Sequence, residues 1–197
     1  MFISRYSRMD TVLKPGSFLS VVYISDGDGQ GISPDEAASG IRRDIDAIDG
    51  VAVAPEGPGP LRLEGLHVIL KHLKLPKRML LLVTDGRSPG DLDDLVGAGY
   101  VNYVNLTADG PLDSEQKESV RLLNDCGCPF MVTATVIPGK TDGSALGKLA
   151  GDAAGSRMMI LRVPKSEPDG KKFAEKEILS LAASAREAAK DVRIVTV

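Results

Sequence analysis

Met79-Leu80-Leu81-Leu82-Val83-Thr84-Asp85-Gly86-Arg87-Ser88-Pro89 decides the reading of the fold. Its apolar run is continuous, the pattern of a strand covered on both faces, as in parallel sheets. Asp85-Gly86 then gives a turn signal. Ser88-Pro89 gives a helix start, with a capping residue before proline at the first helical position. Strand, turn and helix start in direct succession make a βα unit.

The unit recurs along the chain. Apolar runs at 19–25, 51–54, 101–106, 130–137, 158–163 and 192–197 read as further strands. Helical spacing links Ile41, Ile45 and Ile48 in 34–49, and Leu66, Leu70 and Leu73 in 62–74. In 171–190 the stripe is Ile178, Leu181, Ala182, Ala185 and Ala189, suited to packing on the sheet or on another subunit. Ser33-Pro34-Asp35-Glu36 and Asp113-Ser114-Glu115-Gln116 are capping boxes that begin two more helices. Such alternation argues for an α/β fold with a parallel sheet. Six or seven strands in 197 residues fall short of the roughly 250 of a full eight-unit barrel. The expectation is a partial (β/α)6 TIM-like barrel in a single domain over 1–197, with a doubly wound sheet as the alternative. Both place function at the carboxyl ends of the strands.

Composition bounds the function. Apolar residues are 43% and charged residues 26%, ordinary for a globular chain. The net charge of −3 offers no general attraction to a phosphate backbone, and 4% aromatics without Trp offer little base stacking. Nucleic acid is therefore not expected as a partner. No apolar run reaches the roughly 18 residues of a membrane span, and no signal-like core is evident, so a cytoplasmic location is expected. Cys126 and Cys128 are too close for a structural staple and too few for a zinc site. They read as small buried or turn residues. His67 and His72 are five apart and face different sides of their helix, which excludes an HExxH pair.

The candidate site residues lie at the strand ends. Asp26, Asp28 and Gln30 sit in the Gly-rich loop after 19–25 and match the first half of a calcium loop, but its second half fails at Ala37. Asp26 and Asp28 are weak metal candidates; with Asp35 they define the alternative of a Mg²⁺-, Mn²⁺- or Ca²⁺-dependent enzyme. Asp35 also suits a helix N-terminus on electrostatic grounds alone. Glu56 is the ionisable group of a proline-rich loop. Thr84 and Asp85 could hydrogen-bond a polyol or simply form a turn, and Asn105 could read a polar ligand or cap the next helix. Pro138-Gly139-Lys140-Thr141 ends like a P-loop but has Ala134 where the first glycine belongs.

In order, these segments resemble the radical S-adenosylmethionine enzymes, in particular the activating enzymes of anaerobic ribonucleotide reductase and pyruvate formate-lyase. Pro15-Gly16 precedes the strand that leads to Gly27. Glu56-Gly57-Pro58-Gly59-Pro60-Leu61 stands for the family's Gly-Gly-Glu-Pro loop, and Thr84-Asp85-Gly86 for Thr-Asn-Gly. Val101-Asn102-Tyr103-Val104 and Thr135-Val136-Ile137-Pro138-Gly139 match two later strands. The resemblance implies a [4Fe–4S] cluster on a Cys-x3-Cys-x2-Cys loop. Those positions fall at Asp28, Ile32 and Asp35, and none is cysteine. The Glu of the methionine-binding loop falls at Pro58. Soft thiolates are what iron–sulfur chemistry requires. The expectation is a pseudoenzyme with no catalytic residues, cluster and S-adenosylmethionine both lost, binding a protein partner or a small polar molecule. The residual pocket would involve Asp28, Asp35, Glu56, Thr84, Asp85 and Asn105. Oligomeric state is not legible.

Overall fold

The computed structural model describes residues 1–26, 29–57, 63–137, 141–165 and 174–197. The chain divides into two compact units, Met1–Asn105 and Leu106–Val197.

The first unit holds β1 (Phe2–Asp10), β2 (Leu19–Ser25), α1 (Pro34–Arg43), β3 (Gly50–Pro55), α2 (His67–Leu73), β4 (Met79–Thr84), α3 (Pro89–Gly97) and the start of β5 (Tyr103–Thr107). Strands β1 to β4 lie side by side in chain order. Strands β2, β3 and β4 are parallel, with Val21 opposite Ala52 and Ala52 opposite Leu81. Val21, Ala52 and Leu81 are fully buried, as the uninterrupted apolar runs require. The backbone N–H of Asn102, just ahead of β5, donates to the Leu80 carbonyl at 3.2 Å.

Strand β1 is an addition to the sequence reading, and it pairs antiparallel to β2. Its residues Phe2-Ile3-Ser4-Arg5-Tyr6-Ser7-Arg8-Met9-Asp10 show no period of two, because the register slips twice, between Ile3 and Arg5 and between Ser7 and Asp10. Met9 adopts φ +55 at the second slip. Such irregularity suits an edge strand.

Helix α1 starts where its capping box predicts: Ser33 Oγ accepts from the Glu36 N–H at 3.1 Å, and Pro34 is the first helical residue. Acidic residues in its first turn and Arg42 and Arg43 in its last complement the helix dipole. The helix ends at Arg43, and Ile45–Ala47 form a separate 3-10 turn, so the spacing through Ile48 spans two elements. Helix α2 starts at His67, later than the predicted 62. Ser88 precedes α3 without a side-chain capping bond.

The second unit holds the remainder of β5, α4 (Ser114–Asp125), β6 (Phe130–Thr135), α5 (Gly143–Asp152), β7 (Met159–Val163), α6 (Glu175–Arg186) and β8 (Val192–Thr196). Strands β6, β7 and β8 are parallel neighbours. The N–H of Ala108, just past β5, donates to Thr133 O at 3.0 Å. Asp113 and Gln116 form the full reciprocal capping box of α4. On α6, Leu181, Ala182 and Ala185 are buried within the chain. Within each unit the parallel strands and the helices alternate, β1 and β2 of the first unit excepted, and the helices bury apolar residues such as Ile41, Leu70, Val120 and Leu149.

Among the described residues no helix is long and apolar enough to cross a membrane. Three parts of the sequence reading fall outside the described residues: Gly27-Asp28, the loop 58–62, and Pro138-Gly139-Lys140; so do residues 171–173 of the last predicted helix.

Candidate functional site at the strand carboxyl ends

In the first unit the carboxyl ends of β2, β3 and β4 carry Asp26, Glu56 and Thr84-Asp85 in turn. Alternation along the strands places Arg5, Tyr23 and Ala54 on one face, since Arg5 lies opposite Tyr23 and Tyr23 opposite Ala54. Glu56 continues that face two residues on. Its backbone N–H donates to Ile24 O at 2.8 Å, which fixes the strand exit. Its Oε1 accepts from Arg5 Nε at 3.2 Å, and the Arg5 guanidinium lies 3.7 Å above the Tyr23 ring. The three form a stacked, half-exposed polar group, Glu56 on an Arg on an aromatic face. Such a surface ion pair contributes little to stability. It does bring a carboxylate and a guanidinium together at a strand mouth. The sequence names Glu56 as a candidate but gives no sign of its partner Arg5, because β1 itself is not legible.

Thr84 and Asp85 build a turn. Thr84 is 2% exposed, and its Oγ1 accepts from the Gly86 N–H at 3.2 Å. Asp85 Oδ1 accepts from the Arg87 N–H at 3.1 Å, and its other oxygen is 3.5 Å from Arg87 Nη1. Gly86 sits at φ +75, the left-handed region that makes glycine the natural residue there. The Asn105 side chain is buried in mid-strand and donates to Leu13 O at 3.4 Å, in the segment that precedes β2. Asp35 is largely exposed and shares a 2.9 Å hydrogen bond with His72 Nδ1 on α2. Asp28 lies outside the described residues. Among the described residues no three His, Cys, Asp or Glu side chains come together as a metal site would require.

The loop after β2 is held to β1. The Ile32 N–H donates to Ile3 O at 2.8 Å, and the two residues form an isolated antiparallel bridge. Gly31 lies so close to the Ile3 carbonyl that a Cβ would collide with it. Position 32 therefore contributes backbone to the edge of the sheet and a hydrocarbon side chain.

In the second unit, Arg162 on β7 lies opposite Thr135 on β6 and Val195 on β8. Its Nε is buried with no hydrogen-bond partner among the described residues. The one signal in the sequence is an arginine inside the apolar strand Met159–Val163. Cys126 and Cys128 follow α4: Cys126 is exposed, Cys128 is buried, and Gly127 between them takes φ +69. Burial, with a smaller contribution from Cys126, pushes the Cys128 thiol up to about 11. Both fit the reading of turn and core residues.

No family model and no curated protein matches the chain. Several solved structures share its fold. A radical SAM methyltransferase from Sphaerobacter thermophilus is similar over 92% of this chain and 67% of its own, with a TM-score of 0.65 at 11% identity. A type I 3-dehydroquinate dehydratase from Clostridium difficile is similar over 98% of this chain and 80% of its own, with a TM-score of 0.56 at 11% identity. Orotidine 5'-monophosphate decarboxylase from Methanocaldococcus jannaschii covers 91% of this chain and 88% of its own, with a TM-score of 0.53 at 14% identity. The fold is thus the α/β barrel type shared by enzymes of unlike chemistry, a radical SAM methyltransferase among them. At these identities the likeness gives fold, not activity.

Proposed function

We propose that this chain is a radical-SAM-like barrel protein that runs no radical chemistry and binds a small polar molecule at the carboxyl ends of its strands. The observation that carries the reading is the bridge between Ile32 and Ile3. The family resemblance gives position 32 a cluster thiolate. Here it is a hydrocarbon whose backbone closes a sheet edge. A second such position, Asp35, offers a hard carboxylate hydrogen-bonded to His72. The chain's two thiols follow α4, one of them buried and held protonated by that burial. This donor set does not fit a [4Fe–4S] cluster.

Local consistency supports an intact scaffold. Capping boxes, buried parallel strands and amphipathic helices agree with one another, as in a sequence kept foldable. Polar groups stand at the strand mouths: Glu56 accepts from Arg5, whose guanidinium lies over Tyr23, and Thr84 and Asp85 form the turn that follows β4. A ligand with hydroxyl or carboxylate groups would meet both a donor fork and an acceptor there.

The test is S-adenosylmethionine cleavage. Protein treated anaerobically with iron, sulfide and a strong reductant is incubated with S-adenosylmethionine and assayed for 5'-deoxyadenosine. The expected result is none above a protein-free control. Turnover would overturn the reading.

A further inference from the structure

A second feature of the first unit lies at the opposite, amino ends of its strands. A cavity of about 780 Å³ opens beside Met79, the first residue of β4, and Tyr103, the first of β5. Small-molecule sites commonly span about 300–1,000 Å³. Five cations line it: Lys14, Lys71, Lys74, Lys77 and Arg78. No acidic residue is among its lining residues. In a chain of net charge −3, that is a local reversal of sign.

The cations come from three places in the sequence. Lys71 and Lys74 belong to the end of α2, where positive charge also suits the helix dipole. That cause does not extend to Lys77 and Arg78, which follow the helix in the turn before β4. Nor does it extend to Lys14, which arrives from the segment before β2. Lys77 holds φ +59, a conformation uncommon outside glycine. Lys14 Nζ donates to Ser17 Oγ at 2.8 Å and stands 5.4 Å from the centre of the Tyr103 ring. Lys74 Nζ donates to Gly99 O at 2.5 Å. The side chains of Lys71, Lys77 and Arg78 have no ion pair among the described residues.

The carboxylates of the adjoining segments are directed elsewhere. Asp10 Oδ1 accepts from the N–H groups of Val12 and Leu13, and Asp49 Oδ2 accepts from the Phe18 N–H. Asn102 closes the floor: its side chain accepts from the Leu80 N–H and donates to Arg78 O, holding the segment that carries Arg78. Like charges gathered within about a Debye length repel one another, and the attraction of each to a multivalent anion in their midst offsets that repulsion.

We propose that this cavity is a binding site for an oligophosphate group, carried by a free inorganic oligophosphate or by a nucleotide. Phosphate oxygens suit several ammonium groups and one guanidinium fork converging on one space. Leu75 and Met79 add an apolar wall on which an organic portion of the ligand can lie.

Titration calorimetry of the full chain at moderate salt tests this, with sodium tripolyphosphate and, separately, ATP without added metal. Saturable heat is expected with tripolyphosphate. Affinity falls by about tenfold or more in Lys71→Glu and in Lys77→Glu. It is unchanged in Arg43→Glu, which reverses a cation outside the cavity. Circular dichroism confirms that each variant is folded. ATP binding more tightly than tripolyphosphate identifies the nucleotide as the better occupant; equal affinities identify phosphate alone as what is recognised. Absence of saturable heat with both anions would overturn the proposal. So would an equal loss in Arg43→Glu, which would mark attraction to overall charge rather than to this cavity.

Discussion

The Ile32 N–H meets the Ile3 carbonyl at 2.8 Å, tying the loop after β2 to the edge strand β1. Gly31 permits the approach, because a Cβ there would collide with the same carbonyl oxygen. Gly31→Ala is therefore expected to destabilise the protein by about 1–3 kcal/mol, the usual cost of overpacking against backbone. Gly110→Ala, where a Cβ meets nothing within 4 Å, is expected to stay within about 0.5 kcal/mol of wild type. Urea denaturation checks both, the midpoint moving at constant slope.

Two similar helix-start signals differ in structure and should differ in energy. Asp113 accepts from the Gln116 N–H at 2.9 Å and Gln116 Oε1 accepts from the Asp113 N–H at 3.2 Å. The Ser88 side chain makes no capping bond to α3. Asp113→Ala is expected to cost about 1 kcal/mol, and Ser88→Ala a few tenths at most. Thermal melts of the two variants against wild type measure the contrast.

Cys128 and Cys126 are two residues apart and should react differently. Burial raises the Cys128 thiol from an unfolded value near 9.0 to about 11, so the folded state holds its proton across a range in which the unfolded state has lost it. The unfolded state then binds fewer protons, and stability falls as pH rises from about 9 towards 11. Below that range the group contributes no pH dependence. At mildly alkaline pH, iodoacetamide is expected to label exposed Cys126 promptly and Cys128 only on unfolding. Mass spectrometry of labelled peptides, with and without denaturant, tests the order.

Legibility in the sequence followed burial. Strands β2, β3, β4, β6 and β7 are mostly apolar because they are largely buried, and their predicted places hold to within a few residues. Strand β1 is half-solvated, twice bulged and rich in Ser and Arg, so neither period nor apolarity marks it. Helix α1 stops at Arg43 although the apolar spacing runs on, since Ile45 and Ile48 belong to the following turn and the approach to β3. The Thr84-Asp85 turn and the place of Glu56 at a strand exit were legible because turn and strand-end signals are local. Arg5 was not, because it reaches Glu56 across 51 residues of chain. The basic cavity was hidden for the same reason: Lys14 joins Lys71, Lys77 and Arg78 only through the fold, and the net charge points the other way.

Cluster assembly tests the central claim most directly. Protein purified without oxygen and treated with iron and sulfide is desalted, and its iron, sulfide and visible absorbance are measured, followed by electron paramagnetic resonance after reduction. The expected outcome is background iron, no charge-transfer absorbance and no cluster signal, because Ile32 supplies hydrocarbon where the family resemblance calls for a thiolate. Stoichiometric iron and sulfide with the spectrum of a reduced [4Fe–4S] centre would contradict it.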